Sequence, residues 1–147
     1  MSFLVDKESI TDYIPQKPPI VMVDAIISCD DVSVVTQFEI QSDNIFVRGN
    51  TLQEPGVIEN MAQTAAAKAG YEVKKRNAEP FLGFIGAIKD LKIHFLPKVS
   101  SILRTTVTVK MDVMGITLIN AVSECEGNTV AECEMKIVIQ KTADVQA

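Results

Sequence analysis

The sequence predicts an α+β fold in which one curved antiparallel sheet wraps a single long helix. Three observations predict it. Apolar and polar residues alternate over most of the chain, which is the period of a half-buried strand. One internal stretch changes to a 3.6-residue period, and its apolar stripe is mostly alanine, so a helix there can lie close against a broad surface. One helix cannot cover both faces of so large a sheet, and antiparallel sheets commonly bury only one.

Taken in order, Phe3 to Tyr13 predicts a short helix begun by Asp6 or Ser9. Ile14-Pro15-Gln16-Lys17-Pro18-Pro19 then forbids both helix interior and central strand. Strands are expected at Ile20–Ser28 and Val32–Ile40, turned at Cys29-Asp30-Asp31. Ile45–Thr51 leads irregularly to Pro55-Gly56. The helix is expected from Val57 to about Lys75, with Pro55 suited to the first turn and Ile58, Met61, Ala62, Ala65, Ala66 and Ala69 on the buried stripe. Strands follow at Phe81–Phe95, Ile102–Val113, Ile116–Glu124 and Thr129–Ile139, the last two turns falling at Met114-Gly115 and Gly127-Asn128. An exposed edge of such a sheet invites a second copy, so a two-fold dimer is expected.

The 147 residues make a single domain, 1–147, and 47% apolar content supplies its core. A formal charge of −5 argues against binding to a nucleic-acid backbone, which selects for basic stripes. No run reads as a membrane span or a leader, so a soluble cytoplasmic protein is expected. Cys29, Cys125 and Cys133 are an odd set without C-x-x-C spacing, and His94 is the only histidine, which argues against structural zinc. Reduced thiols fit the same compartment.

Two motifs carry a resemblance. Ile14-Pro15-Gln16-Lys17-Pro18-Pro19-Ile20-Val21-Met22-Val23-Asp24 resembles the L-P-H-R-x-P-x-x-x-x-D opening of 3-hydroxyacyl-ACP dehydratases, and Glu59-Asn60-Met61-Ala62-Gln63 resembles their E-x-M-A-Q helix. Gly49-Asn50-Thr51 stands where they have G-H-F. The short approach to the helix is closer to the dehydratase-like proteins of aryl-polyene and related pigment clusters. The resemblance implies the hot-dog fold and a site shared between two subunits, where a loop histidine and a helix carboxylate of the other chain remove water from a 3-hydroxyacyl thioester. It implies no cofactor or metal. Its partners are an acyl thioester on ACP or CoA, a homodimer or heterodimer mate, and an acyl carrier protein.

Carried over residue by residue, Glu59 takes the carboxylate position and Gln16 the histidine position; Gln63, one turn on, hydrogen-bonds Glu59 or a substrate amide. Gly56 or Val57 supplies the N–H that polarises the thioester, and Met61 lines the acyl tunnel. An amide does not titrate, so Gln16 cannot replace a general base, a loss of roughly 10²–10⁴ in rate. A plainer reading stands beside each assignment. Glu59 also suits a helix dipole, Gln63 a structural tie, Gln16 a turn, and the methionines a core. His94 falls on the solvent side of its strand. Lys89, Lys92, Lys98 and Arg104 form either a solvated face or a carrier-protein contact. Beside dehydration stand thioester hydrolysis by Glu59 alone and non-catalytic acyl binding.

Overall fold

In the computed structural model, which describes residues 2–78 and 81–141, eight strands and one long helix follow the expected α+β order. They are β1 (Ala25–Cys29), β2 (Ser33–Glu39), β3 (Val47–Arg48), β4 (Thr51–Leu52), α1 (Glu54–Lys75), β5 (Phe81–Ile93), β6 (Ile102–Val113), β7 (Ile116–Cys125) and β8 (Asn128–Lys141). Six of them form one antiparallel sheet in the order β1-β2-β6-β7-β8-β5, and α1 lies on its inner face, the single-helix arrangement of the hot-dog fold.

Strand alternation puts Val34, Leu103, Val107, Ile119, Ala121, Ala131 and Met135 inward, and all are buried. Bulges between Val109 and Met111 and between Ile85 and Ala87 shift the register and bend the long strands around the helix. The turns at Met114-Gly115 and Glu126-Gly127 use positive φ at both residues, as tight hairpins of this twist require.

Four expectations need correction. The first segment forms only a 3-10 turn at Ile10–Asp12; Asp6 Oδ1 accepts the Ser9 N–H, and Ser9 makes no side-chain cap. The predicted strand at Ile20–Ser28 begins only at Ala25, because Ile20–Val23 is a strap held by helix side chains instead of a ladder. The segment from Ile45, expected to be irregular, forms the small β3–β4 hairpin, which ends at Leu52. The helix starts at Glu54, three residues early, and its buried face is rotated. Val57, Asn60, Met61, Gln63, Thr64, Ala67 and Lys68 are buried, while Ile58, Ala62, Ala65, Ala66 and Ala69 stay half open. Polar residues occupy the buried side because each finds a partner there: Thr64 meets Thr36 at 2.7 Å, and the Lys68 ammonium pairs with Glu72.

The second half of α1 carries the incoming chain. Tyr13 stacks on Tyr71 with ring centroids 6.2 Å apart, and its carbonyl presses against Gly70, where a Cβ would overlap it. Gly70→Ala gains up to about 1 kcal/mol of helix propensity. Overpacking against a backbone group costs about 1–3 kcal/mol, so net destabilisation in a urea melt is expected. At the strap's end Asp24 accepts the Glu39 N–H at 2.8 Å, and burial raises its pKa above the usual carboxylate value. Folded Asp24 therefore holds its proton more tightly than the unfolded chain does, and stability falls as pH rises through its titration. Asp24→Asn keeps an acceptor for Glu39, so melting curves from pH 3 to 7 are expected to lose this decline without loss of stability at pH 7.

Candidate active site at the start of the helix

The first turns of α1 and the strap meet at the Met22 peptide. Met22 is fully buried, so both its backbone polar groups need partners inside the protein. Its N–H donates to Gln63 Oε1 at 2.6 Å, and its carbonyl accepts from Asn60 Nδ2 at 2.7 Å. Gln63 Nε2 donates to the Ile20 carbonyl and to Glu59 Oε1, both at 2.8 Å. From the sheet, Thr105 Oγ1 donates to Asn60 Oδ1 at 2.5 Å and meets Ser123 Oγ at 2.7 Å. The Met22 N–H thus decides which way round the Gln63 amide sits, and that turns its NH₂ group toward Glu59.

Glu59 is partly buried, with one carboxylate oxygen held by Gln63 and the other without a side-chain partner among the described residues. The Gln63 amide spends all its hydrogen-bonding groups inside the protein, so the structure supports the Glu59 tie and leaves it no N–H for a substrate amide. Asn60, Thr105 and Ser123, all fully buried, are the members of this network that sequence reasoning missed. A polar residue at a core position in each of three elements was the available signal; their pairing is not readable from one chain.

The other candidates do not join Glu59. Gln16 lies on the segment that runs from Tyr13, at Gly70, back to Ile20, at Gln63; it makes no hydrogen bond to Glu59, and its buried Oε1 has no partner among the described residues. The N–H groups of Gly56 and Val57 both bond to the Gln53 carbonyl, at 2.9 and 3.3 Å. With the helix starting at Glu54 they lie within its first turn, and in this structure both N–H groups point to that one carbonyl. Gly56 is required by packing instead, since a Cβ there would come within 2.7 Å of Leu52 Cδ1 and Phe46 Cβ. Met61 is fully buried with its sulfur 3.7 Å from Cys133 Sγ.

His94 follows β5 on the outer face, as its alternation predicts, and faces Glu132 at 3.0 Å in a shallow depression with Phe95, Asn128 and Thr129. Lys89, Lys92 and Arg104 stand opposite Glu134, Glu132 and Glu124 in the register, so each has a carboxylate across the strand, while Lys98 is exposed beyond β5. Burial pushes the Cys133 thiol up to about 11 and raises Cys29 too, so neither is a nucleophile at neutral pH. Among the described residues no three His, Cys, Asp or Glu side chains form a metal-holding group, and no helix is long and apolar enough to cross a membrane.

Replacing Gln63 with leucine keeps the bulk and strands the buried Met22 N–H. Gln63→Leu is expected to cost about 1–3 kcal/mol in a denaturant melt and to speed hydrogen exchange at the Met22 amide.

Comparison with known proteins fits this architecture. No functionally curated protein matches by sequence. Among solved structures, a chain of the dehydratase heterocomplex ApeI:P from Xenorhabdus doucetiae superposes with a TM-score of 0.82 at 17% identity, covering 99% of this chain and 97% of that one. The E. coli PaaI protein of the phenylacetic acid degradation operon gives 0.63 at 13% identity over 77% and 80% of the two chains. A hypothetical thioesterase with coenzyme A from Streptococcus pneumoniae TIGR4 gives 0.62 at 8% identity over 79% and 84%. The family described as ApeP-like, ApeP dehydratase, matches residues 8–147, and this chain, with its Glu59–Gln63 helix start set in that fold, belongs to it.

Proposed function

We propose that this chain is one subunit of a dehydratase acting on 3-hydroxyacyl thioesters, in which it contributes the Glu59 carboxylate and a second, paralogous hot-dog chain contributes the histidine. The observation that carries the reading is that the chain's only histidine, His94, sits on the outer face, whereas Glu59 belongs to the inner helix. The heterocomplex named for ApeI:P, over nearly the full length of both chains, supports a hot-dog partner.

The chemistry divides between the two chains. A neutral imidazole takes the proton α to the thioester, and the electron pair left behind forms the Cα=Cβ bond as the β-hydroxyl departs. The oxygen of Glu59 that Gln63 leaves free carries the proton that turns the departing hydroxyl into water. Gln63 holds the other oxygen in place, so the acid group meets the substrate already oriented.

The partner's seat is the free edge of β5. Among the described residues this strand is paired on one side only, to β8, and from Phe81 to Ile88 it carries no charge. Leu82, Phe84, Ile85 and Ile88 are all exposed there, an edge that an isolated chain would ordinarily protect. The half-open alanine side of α1, with Ile58, Ala62, Ala65, Ala66 and Ala69, lets a second helix approach closely. ACP and CoA both remain compatible carriers, and the paired charges around Lys89 and Lys92 give no preference for an acidic carrier protein.

Thioester hydrolysis by Glu59 alone is the second reading. The coenzyme A-bound thioesterase neighbour and the free oxygen of Glu59, open to a water, favour it.

Two positions stand where the resembled dehydratases carry a histidine, Gln16 in the opening motif and Asn50 at the exposed tip of the β3–β4 hairpin that feeds α1. The chain alone is expected to turn over 3-hydroxyacyl thioesters slowly or not at all. Gln16→His or Asn50→His is expected to raise that rate by roughly 10²-fold or more, and Glu59→Gln to remove the gain. Free-thiol release from acyl-CoA by the unaltered chain, lost in Glu59→Gln, would move the assignment to hydrolysis.

A further inference from the structure

The small hairpin that feeds α1 carries a group of donors that the dehydration chemistry does not use. Arg48 pairs with Thr51 across the hairpin, and Thr51 pairs on its other side with Lys98. Two backbone bonds hold that second pairing: Leu52 N–H donates to the Pro97 carbonyl and Val99 N–H to the Asn50 carbonyl, both at 2.9 Å. Directly opposed residues share a face. Leu52 and Pro97 are buried, so alternation turns Thr51 outward, with Arg48 on one side of it and Lys98 on the other. Both cations are exposed, and neither forms an ion pair among the described residues, not even with Glu54, the one carboxylate within three residues of the row in sequence. Cations of the main sheet differ, since Lys89, Lys92 and Arg104 oppose glutamates and Lys110 pairs with Glu134. Thr51 adds a third donor. Gln53 Nε2 donates to its Oγ1 at 3.0 Å, and the nearest acceptor for the hydroxyl proton among the described residues is the Arg48 carbonyl, 3.5 Å away. A hydroxyl bond of ordinary strength spans about 2.7–2.8 Å, so this proton is largely unspent.

We infer that the row Arg48–Thr51–Lys98 seats a phosphate, that of the 4′-phosphopantetheine arm which coenzyme A and an acyl carrier protein share. The inference rests on the carrier-bound thioester of the proposed function. Opposed Cβ atoms lie about 5 Å apart, so the two cations flank Thr51 at about 10 Å from each other and close on one group from both sides. Arg48 brings a planar fork that meets two phosphate oxygens, Lys98 a point charge, and the Thr51 hydroxyl a bond to a third oxygen. On a chain of net charge −5, an anion is held only where local cations outweigh the whole. The row also stands where a carrier arm has to enter. The hairpin ends at Leu52, α1 begins at Glu54, and Glu59 lies five residues further, about 7.5 Å along the axis. The phosphate end and the thioester end of one extended arm are thereby served by the hairpin and the second helical turn of the same chain.

The test is calorimetric binding of 4′-phosphopantetheine and of pantetheine to the full chain. Two exposed charge contacts predict roughly tenfold tighter binding of the phosphorylated probe, a preference that added salt erodes. Arg48→Gln and Lys98→Gln are each expected to weaken 4′-phosphopantetheine about three- to fivefold and pantetheine not at all, with unchanged melting temperature because both side chains are exposed. Lys110→Gln, which removes a cation already paired to Glu134, is expected to alter neither probe. Coenzyme A and a holo acyl carrier protein then separate the sources: the one that gains further affinity, lost in Arg48→Gln, is the carrier the seat serves. Equal binding of the two probes, binding of neither, a preference that survives both variants, or one that falls equally in Lys110→Gln overturns the inference. Glu59→Gln is expected to keep the preference. A phosphate preference without Glu59-dependent dehydration would overturn the proposed function alone, and dehydration without the preference would overturn the seat alone.

Discussion

The structure around the candidate site depends on one peptide group. Burying Met22 removes its N–H and carbonyl from water, and leaving either unpaired would cost on the order of 1–3 kcal/mol. Gln63 and Asn60, one turn apart on α1, answer that demand from the same side of the helix. Their answer fixes three other things. The strap becomes an irregular segment instead of a strand, the polar side of α1 turns inward, and the Gln63 amide presents its N–H to Glu59. Asn60 is in turn held by Thr105 and Ser123, so the orientation of a carboxylate at the helix start is tied to the middle of the sheet.

The same rotation of α1 explains what is left open. With Asn60, Gln63 and Thr64 taken up by the sheet and the strap, the alanine side stays half open. This half-open helix face and the outer edge of β5 are the surfaces that the proposed second chain would cover. The placement of the groups agrees: the Glu59 carboxylate is oriented by Gln63, while the one histidine hydrogen-bonds Glu132 on the outer face. The ApeP-like family match and a related fold solved as a heterocomplex give this asymmetry a context.

Much of this was legible in the residues. The period change at the alanine-rich stretch marked the one long helix among the described residues, and alternation located β2 and β5–β8 to within two residues, because those strands bury one face and expose the other. Ile20–Val23 misled because burial alone produces an apolar run, and no local signal distinguishes a ladder from a strap held by distant side chains. The helix stripe misled for a related reason: alanines look like core until the partners of Asn60, Thr64 and Lys68 are known. Glu59 and Gln63 could be named from the E-x-M-A-Q resemblance, and their 2.8 Å contact follows from i,i+4 spacing. The helix start was less legible, because Pro55 marks the first turn without fixing its first residue, and a helix begun at Glu54 turns the Gly56 and Val57 N–H groups to the Gln53 carbonyl.

The central claim is that Glu59 works only with a histidine from another chain. The most direct measurement is the dehydration rate of a 3-hydroxyacyl thioester as a paralogous, histidine-bearing hot-dog chain is titrated into this one. The account predicts a rate that rises to a plateau at equal subunits and that fails to rise when this chain carries Glu59→Gln. Full turnover by this chain before any partner is added, or a plateau indifferent to Glu59→Gln, would contradict it.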